Sequence, residues 1–188
     1  NGTCLGSPYC PVLTTGKSGS AYNFDGINDH AIFYKALPRQ EGTISAWIKT
    51  DRVGIQHIIW SGQTGDGFGT ESEIHLSLLD TRNFSFYFGS KNRNSQEYRI
   101  DGGTYNAGTW YHVAAVYRNN DFVELYVNGI MVKNNIIDKN IDTSTWQTSS
   151  GQAYTYLGKP KSSIRYFDGV IDSLQVYDWA LEPEQVND

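Results

Sequence analysis

Basic charge is in short supply in this chain. Its 188 residues carry 15 Lys and Arg against 20 Asp and Glu, for a formal net charge of −5. A protein that neutralises phosphates needs a basic face. No stretch gathers one, so nucleic acid is excluded as the expected partner. Long apolar runs are also lacking. None approaches the ~20 residues that span a bilayer, and no membrane insertion is expected. Nothing reads as a signal peptide, and the chain opens on Asn1. The expectation is a processed product or part of a larger multidomain protein. The four histidines, His30, His57, His75 and His112, are not paired at zinc-ligand spacing. Neither a Gly-x-Ser-x-Gly elbow, a phosphate loop nor a Cys/His nucleophile pattern occurs. Helical periodicity is nearly missing, with only "LEPEQV" (181–186) fitting a single turn.

Cysteine is scarce, and its placement is informative. Cys4 and Cys10 close a small loop over Gly6, Ser7 and Pro8, which predicts a disulfide and an oxidising compartment. The protein is therefore expected to be secreted or at a cell surface. Residues 1–17 show no periodicity and read as a disulfide-pinned lead-in to a domain over 18–188.

What is abundant is β patterning. "TISAWIK" (43–49) alternates Ile44, Ala46 and Ile48 with Ser45, Trp47 and Lys49. "EIHLSLLD" (73–80) sets Ile74, Leu76 and Leu78 against Glu73, His75 and Ser77. "FSFYFG" (84–89) sets Phe84, Phe86 and Phe88 against Ser85 and Tyr87. "HAIFY", "QHIIWS", "EYRI", "WYHVAAVYR", "VELYVNG", "YTYLGK" and "GVIDSLQVY" add further runs. Turn signals at Gly102-Gly103, Ala107-Gly108, Asn119–Asp121 and Asn128-Gly129 separate them. The fold class is all-β, a sandwich or barrel. Residues 61–73 and 134–152 are irregular for longer than compact domains usually allow, and they read as candidate binding loops.

In order along the chain come "AYNFDGINDHAIF", "GTISAWIKTD", "GTWYHVAAVY", "VELYVNGIMV", "YLGK" and "YFDGVIDSLQVYDWALEPEQV". Over Ser18 to Val186 this resembles a laminin G-like, concanavalin A-like jelly roll. The resemblance implies two antiparallel sheets in a sandwich, one with a concave face. It further implies glycans on that face or its rim loops, and a structural calcium near the meeting of the first and last strands. The fold alone does not select a function, because it hosts lectins, lyases, glycosidases and adhesion domains.

Two segments, "FDGIND" (24–29) and "FDGVID" (167–172), share one pattern. Alternation in "GVIDSLQVY" puts Asp172 on a face with Val170, Leu174 and Val176. A buried carboxylate must be paired, hydrogen-bonded or metal-bound. Calcium takes 6–8 oxygens, mixing carboxylates with carbonyls from Gly-containing turns. One reading is a calcium held by Asp25, Gly26, Asp29 and Asp172, with Asn28 nearby; the other is that these residues only make turn hydrogen bonds. Asp168 is assigned to its own turn.

For the glycan, the outward residues Glu73, His75, Tyr87 and either Tyr98 or Arg99 are candidates. Asp66, Phe68, Trp146, Arg165 and Tyr166 join them from the loops. Trp146 in "DTSTWQTSS" has a polar setting that fits a ligand platform. Trp47, Trp60, Trp110 and Trp179 are read as packing residues. Laminarinase-like relatives carry Glu-x-Asp-x-x-Glu; "ESEIHLSLLD" comes closest and lacks the central Asp, so no catalysis is expected. The reading is a secreted, calcium-stabilised, non-catalytic carbohydrate-binding module that takes a polysaccharide or glycan. The alternatives are an adhesion or structural domain and, behind it, a glycosidase or lyase.

Overall fold

The computed structural model describes residues 3–4, 6, 8–62, 72–90, 96–139, 141, 154–161 and 164–186. They form β1 (Val12–Thr15), β2 (Ser20–Asp25), β3 (Ala31–Phe33), β4 (Glu41–Thr50), β5 (Gln56–Gly62), β6 (Ser72–Leu78) and β7 (Phe84–Ser90). β8 (Gln96–Gly102), β9 (Tyr111–Arg118), β10 (Phe122–Val127), β11 (Ile130–Ile136), β12 (Tyr154–Leu157) and β13 (Asp168–Tyr177) follow. A seven-stranded sheet runs β1-β2-β13-β4-β9-β10-β11 and a six-stranded sheet runs β3-β12-β5-β6-β7-β8. Of the sandwich or barrel that the strand patterning predicts, this is the two-sheet antiparallel sandwich that the resemblance implies. One turn of 3-10 helix, Pro183–Gln185, lies within "LEPEQV". No helix among the described residues is long and apolar enough to cross a membrane.

Alternation builds the core. Ile44, Ala46 and Ile48 of β4 join Val113, Ala115 and Tyr117 of β9 and Val123, Leu125 and Val127 of β10. Across from them stand Ile74, Leu76 and Leu78 of β6 and Phe84, Phe86 and Phe88 of β7. Two buried polar side chains inside, Tyr117 and Gln56, are bonded, as their desolvation requires. The Tyr117 hydroxyl donates to the Pro38 carbonyl at 2.7 Å. Gln56, fully buried, accepts the Asp168 N–H at 2.8 Å and donates to the Arg52 carbonyl at 2.9 Å.

Cys4 and Cys10 form the predicted disulfide. Thr3 exchanges two backbone hydrogen bonds with Ile32 of β3, and His30 N–H donates to the Tyr9 carbonyl. The disulfide loop thus covers the outer edge of β3, which would otherwise expose unpaired backbone. The stretch read as a disulfide-pinned lead-in without periodicity also contains β1, which pairs with β2 from Val12 opposite Asn23 to Thr15 opposite Ser20. Four residues are too few to show a period.

The two outer faces of the sandwich differ. Over the seven-stranded sheet, Ala180, Leu181 and Val186 pack on Ala114, Val116 and Tyr126. Thr43 fastens this segment, donating to the Trp179 carbonyl and accepting the Leu181 N–H. Over the six-stranded sheet lies an open groove.

Candidate functional site

Cross-strand register assembles this groove. Tyr156 of β12 pairs with Trp60 of β5, Trp60 with His75 of β6, His75 with Tyr87 of β7, and Tyr87 with Arg99 of β8. Five residues therefore stand in one row across five strands, ~19 Å at a strand spacing of ~4.8 Å. A second row holds His57, Ser77, Ser85 and Asp101; a third holds Gly62, Glu73, Gly89 and Glu97. The groove has a volume of about 610 Å³, and Lys161 and Arg165 form one wall.

The floor is fixed by specific contacts. The Trp60 indole N–H donates to Glu73 Oε2 at 2.6 Å. His75 stacks on Tyr87 with ring centroids 4.9 Å apart and planes at 6°, and His57 meets the His75 ring edge-on at 4.9 Å. Ser85 Oγ donates to Asp101 Oδ1 at 2.6 Å, and Arg99 Nε donates to the same oxygen at 2.9 Å. His57 is 6% exposed, and its Nδ1 is buried without a hydrogen-bond partner. Burial, aided by the Arg165 charge, pushes its pKa down to about 4, so the ring is neutral at pH 7.

Of the residues read from sequence as ligand contacts, Glu73, His75, Tyr87, Arg99 and Arg165 line this groove together. Between the alternatives Tyr98 and Arg99, strand parity selects Arg99. The Tyr98 ring packs against the core and its hydroxyl donates to Asp138 at 2.6 Å. Tyr166 does not line the groove. Its carbonyl accepts Arg52, and its ring, with that of Tyr156, flanks the Lys159 ammonium. Trp146, Asp66 and Phe68 lie outside the described residues.

Trp60, read as a packing residue, is 5% exposed and packs on Tyr156, and it also stands in the central row of the groove. His57 was not singled out at all. Both lie in "QHIIWS", whose apolar residues Ile58, Ile59 and Trp60 are consecutive and show no alternation, and a register shift between His57 and Ile59 breaks the parity further. Trp47, Trp110 and Trp179 lie away from the groove lining; Trp47 and Trp110 carry Lys17 and Lys49 over their rings, and Trp179 is half exposed.

The expected calcium ligands divide between two places. Asp25 ends β2 and Asp168 opens β13, and the two residues pair directly. The two Phe-Asp-Gly motifs are thus neighbours across one ladder, one closing β2 and the other opening β13. Gly26 holds φ +69°, and a Cβ there would stand 2.7 Å from the Asp168 side chain, so the turn requires glycine. Asp25 Oδ1 accepts the N–H groups of Ile27, Asn28 and Asp29, and Asp29 Oδ2 accepts the Asp25 N–H. Burial pushes the Asp29 carboxyl up, and the Asp25 charge adds to it. Burial also acts to raise Asp25, but its backbone hydrogen bonds outweigh this and hold the carboxyl low. Asn28 Oδ1 is buried without a hydrogen-bond partner. Asp168 serves its neighbours, accepting Arg52 at 3.3 Å.

Asp172 sits four residues further along β13, ~13 Å at strand rise. Its Oδ2 accepts the Ser18 N–H at 3.0 Å and its Oδ1 the Ser173 hydroxyl. One ion at the 2.3–2.6 Å of calcium–oxygen bonds does not reach both places. Among the described residues no three His, Cys, Asp or Glu side chains gather as metal ligands. The four-residue set does not fit one ion. The Asp25–Asp29 turn by itself fits better, having two like-charged carboxylates and an unpartnered amide oxygen.

The face assigned to Asp172 is corrected as well. Asp172 pairs with Trp47, and the next pair is Gln175 with Ser45. Ser173, at φ +48°, forms a bulge. Asp172 and Gln175 consequently share the outer face, while Leu174 turns to the core.

Comparison with known proteins follows this geometry. A family model described as the concanavalin A-like lectin/glucanases superfamily, Laminin_G_3, matches residues 18–187. None of the curated proteins matches. Among solved structures, domain 4 of an extracellular GH43 arabinanase from Geobacillus stearothermophilus, in complex with arabinotriose, aligns with TM-score 0.70 and 21% identity. The alignment covers 100% of this chain and 85% of that one. The CBM40 of a Ruminococcus gnavus IT-sialidase, bound to alpha2,3 sialyllactose, aligns with TM-score 0.70 and 18% identity over 94% and 96% of the two chains. The binding domain of Paraclostridial Mosquitocidal Protein 1 aligns with TM-score 0.68 and 16% identity. It covers 94% of this chain but only 44% of that chain. At these identities the solved structures establish the jelly-roll fold. The chain belongs to the concanavalin A-like lectin/glucanases superfamily.

Proposed function

We propose that this protein is a non-catalytic carbohydrate-binding module, secreted or displayed at a cell surface, that holds a glycan in the groove of its six-stranded sheet. The observation that carries the reading is the row Trp60–His75–Tyr87 flanked by Glu73, Ser77, Ser85, Arg99 and Asp101. A sugar ring has one apolar face and a rim of hydroxyls, so it needs an aromatic floor beside fixed acceptors and donors. The likeness to carbohydrate-binding domains supports this reading, as does the disulfide. A second cavity, lined by Phe33, Leu37, Ile59, Leu174 and Val176, has a mainly aliphatic wall and offers no comparable floor.

The test is glycan-array screening followed by titration calorimetry with arabinan oligosaccharides, sialyllactose and a panel of plant and host polysaccharides. Trp60→Ala is expected to abolish binding of the ligand found, about 2 kcal/mol or more at an aromatic anchor, with the melting cooperativity retained. Binding to no glycan, or full binding by Trp60→Ala, overturns the reading. Calcium enters this reading at the Asp25–Asp29 turn alone: Asp25, Asn28 and Asp29 would hold it with the Gly26 carbonyl.

A further inference from the structure

We infer that the glycan taken by this groove is acidic, and that Lys161 and Arg165, which line it beside Pro160, receive its carboxylate or sulfate group. The inference rests on the carbohydrate-binding reading and narrows it to a ligand class.

The wall is locally basic within an acidic chain: "GKPKSSIRYF" (158–167) carries Lys159, Lys161 and Arg165 and no Asp or Glu. Three other arginines are neutralised, Arg52 by Asp168 at 3.3 Å, Arg99 by Asp101 at 2.9 Å, and Arg118 by Glu41 and Asp121, while Arg82 donates to the Asn106 amide oxygen. Lys159, Lys161 and Arg165 form no ion pair among the described residues. The nearby groove carboxylates are partly committed. Glu73 accepts Trp60 and Asp101 accepts Arg99 and Ser85, which leaves Asp80 and Glu97 at other points of the lining.

The environment of the wall reinforces this. Lys159 Nζ stands 5.0 Å from the Tyr156 ring centroid and 5.7 Å from that of Tyr166. Burial lowers its pKa, the signature of a cation drawn out of water without a carboxylate in compensation. His57, whose N–H donates to the Arg165 carbonyl, is kept neutral beneath the wall and adds no positive charge of its own. An anionic substituent on a ring lying over Trp60 and His75 would meet the guanidinium in the planar, charge-assisted geometry that arginine favours.

The experiment titrates the whole chain with three probe classes at low and high salt. Polygalacturonate supplies carboxylates, chondroitin sulfate supplies sulfate esters, and arabinan and dextran are neutral. At least one acidic probe is expected to bind about tenfold or more tighter than the neutral ones. A Lys161→Gln/Arg165→Gln double variant should lose about tenfold or more of that affinity and keep the wild-type melting temperature. Tight polygalacturonate binding identifies a carboxylate as the anion, and tight chondroitin sulfate binding identifies a sulfate. If neutral glycans bind as tightly as acidic ones, or the double variant keeps its affinity, the acidic inference is overturned. Loss of that binding in Trp60→Ala would then leave the module reading standing. If all polyanions bind alike and Trp60→Ala changes nothing, both readings fall.

Discussion

His57 couples the groove to solution pH. Its folded pKa is about 4 against an ordinary value of 6.5, because burial and then Arg165 disfavour the imidazolium. As pH falls through 6.5 the unfolded chain takes up a proton that the folded chain refuses. Stability is therefore full above about 6.5 and declines between 6.5 and about 4, by about 3 kcal/mol in all. Urea unfolding of the wild type against His57→Gln across this window should show a shallower decline in the variant; parallel curves would refute the assignment. Asp29 and Asp168, whose carboxyls are raised mainly by burial, act in the opposite sense as acid is added, so the difference between variants isolates His57. At this scale the sequence was partly legible. Glu73, His75 and Tyr87 were found because β6 and β7 alternate cleanly. Trp60 and His57 were not, because β5 is buried along its whole length and its parity shifts within it.

At the scale of elements, the exit turn of β2 and the bulge in β13 separate what the shared motif joined. The calcium proposed for the Asp25–Asp29 turn predicts that a chelator lowers the melting temperature and that Asp29→Asn removes this response. Asp172→Asn should leave the chelator response intact while lowering stability by about 1 kcal/mol, through a weaker acceptor for the Ser18 N–H. A melting temperature indifferent to chelation would sink the calcium proposal outright. Strict alternation could not have parted Asp172 from Leu174 and Val176, since one extra residue at Ser173 inverts every side chain that follows. The strands themselves were readable where hydrophobic and polar residues alternate over several positions. β1 was not, as its pairing with β2 is a long-range choice and not a local preference.

For the whole molecule, the ends of the described chain decide which surfaces remain open. The disulfide loop covers the edge of β3, and the segment around Ala180 and Val186 covers part of the seven-stranded sheet. Replacing Cys4 and Cys10 together by Ser should cost about 2 kcal/mol, the chain-entropy contribution of so small a loop. Calorimetric melts of that variant, and of the wild type with a dithiol reductant, should show equal losses. A variant as stable as the oxidised protein would argue against the role given to the loop. The sequence by itself determined the all-β class, the main strands, the disulfide and the kind of side chain presented outward, because alternation and turn chemistry are local and periodic. Only the tertiary structure decided which outward residues meet. Tyr156, Trp60, His75, Tyr87 and Arg99 come from strands scattered along the chain, and hydrogen-bond register, a contact between distant segments, is what sets them in one row and parts Asp172 from Asp25.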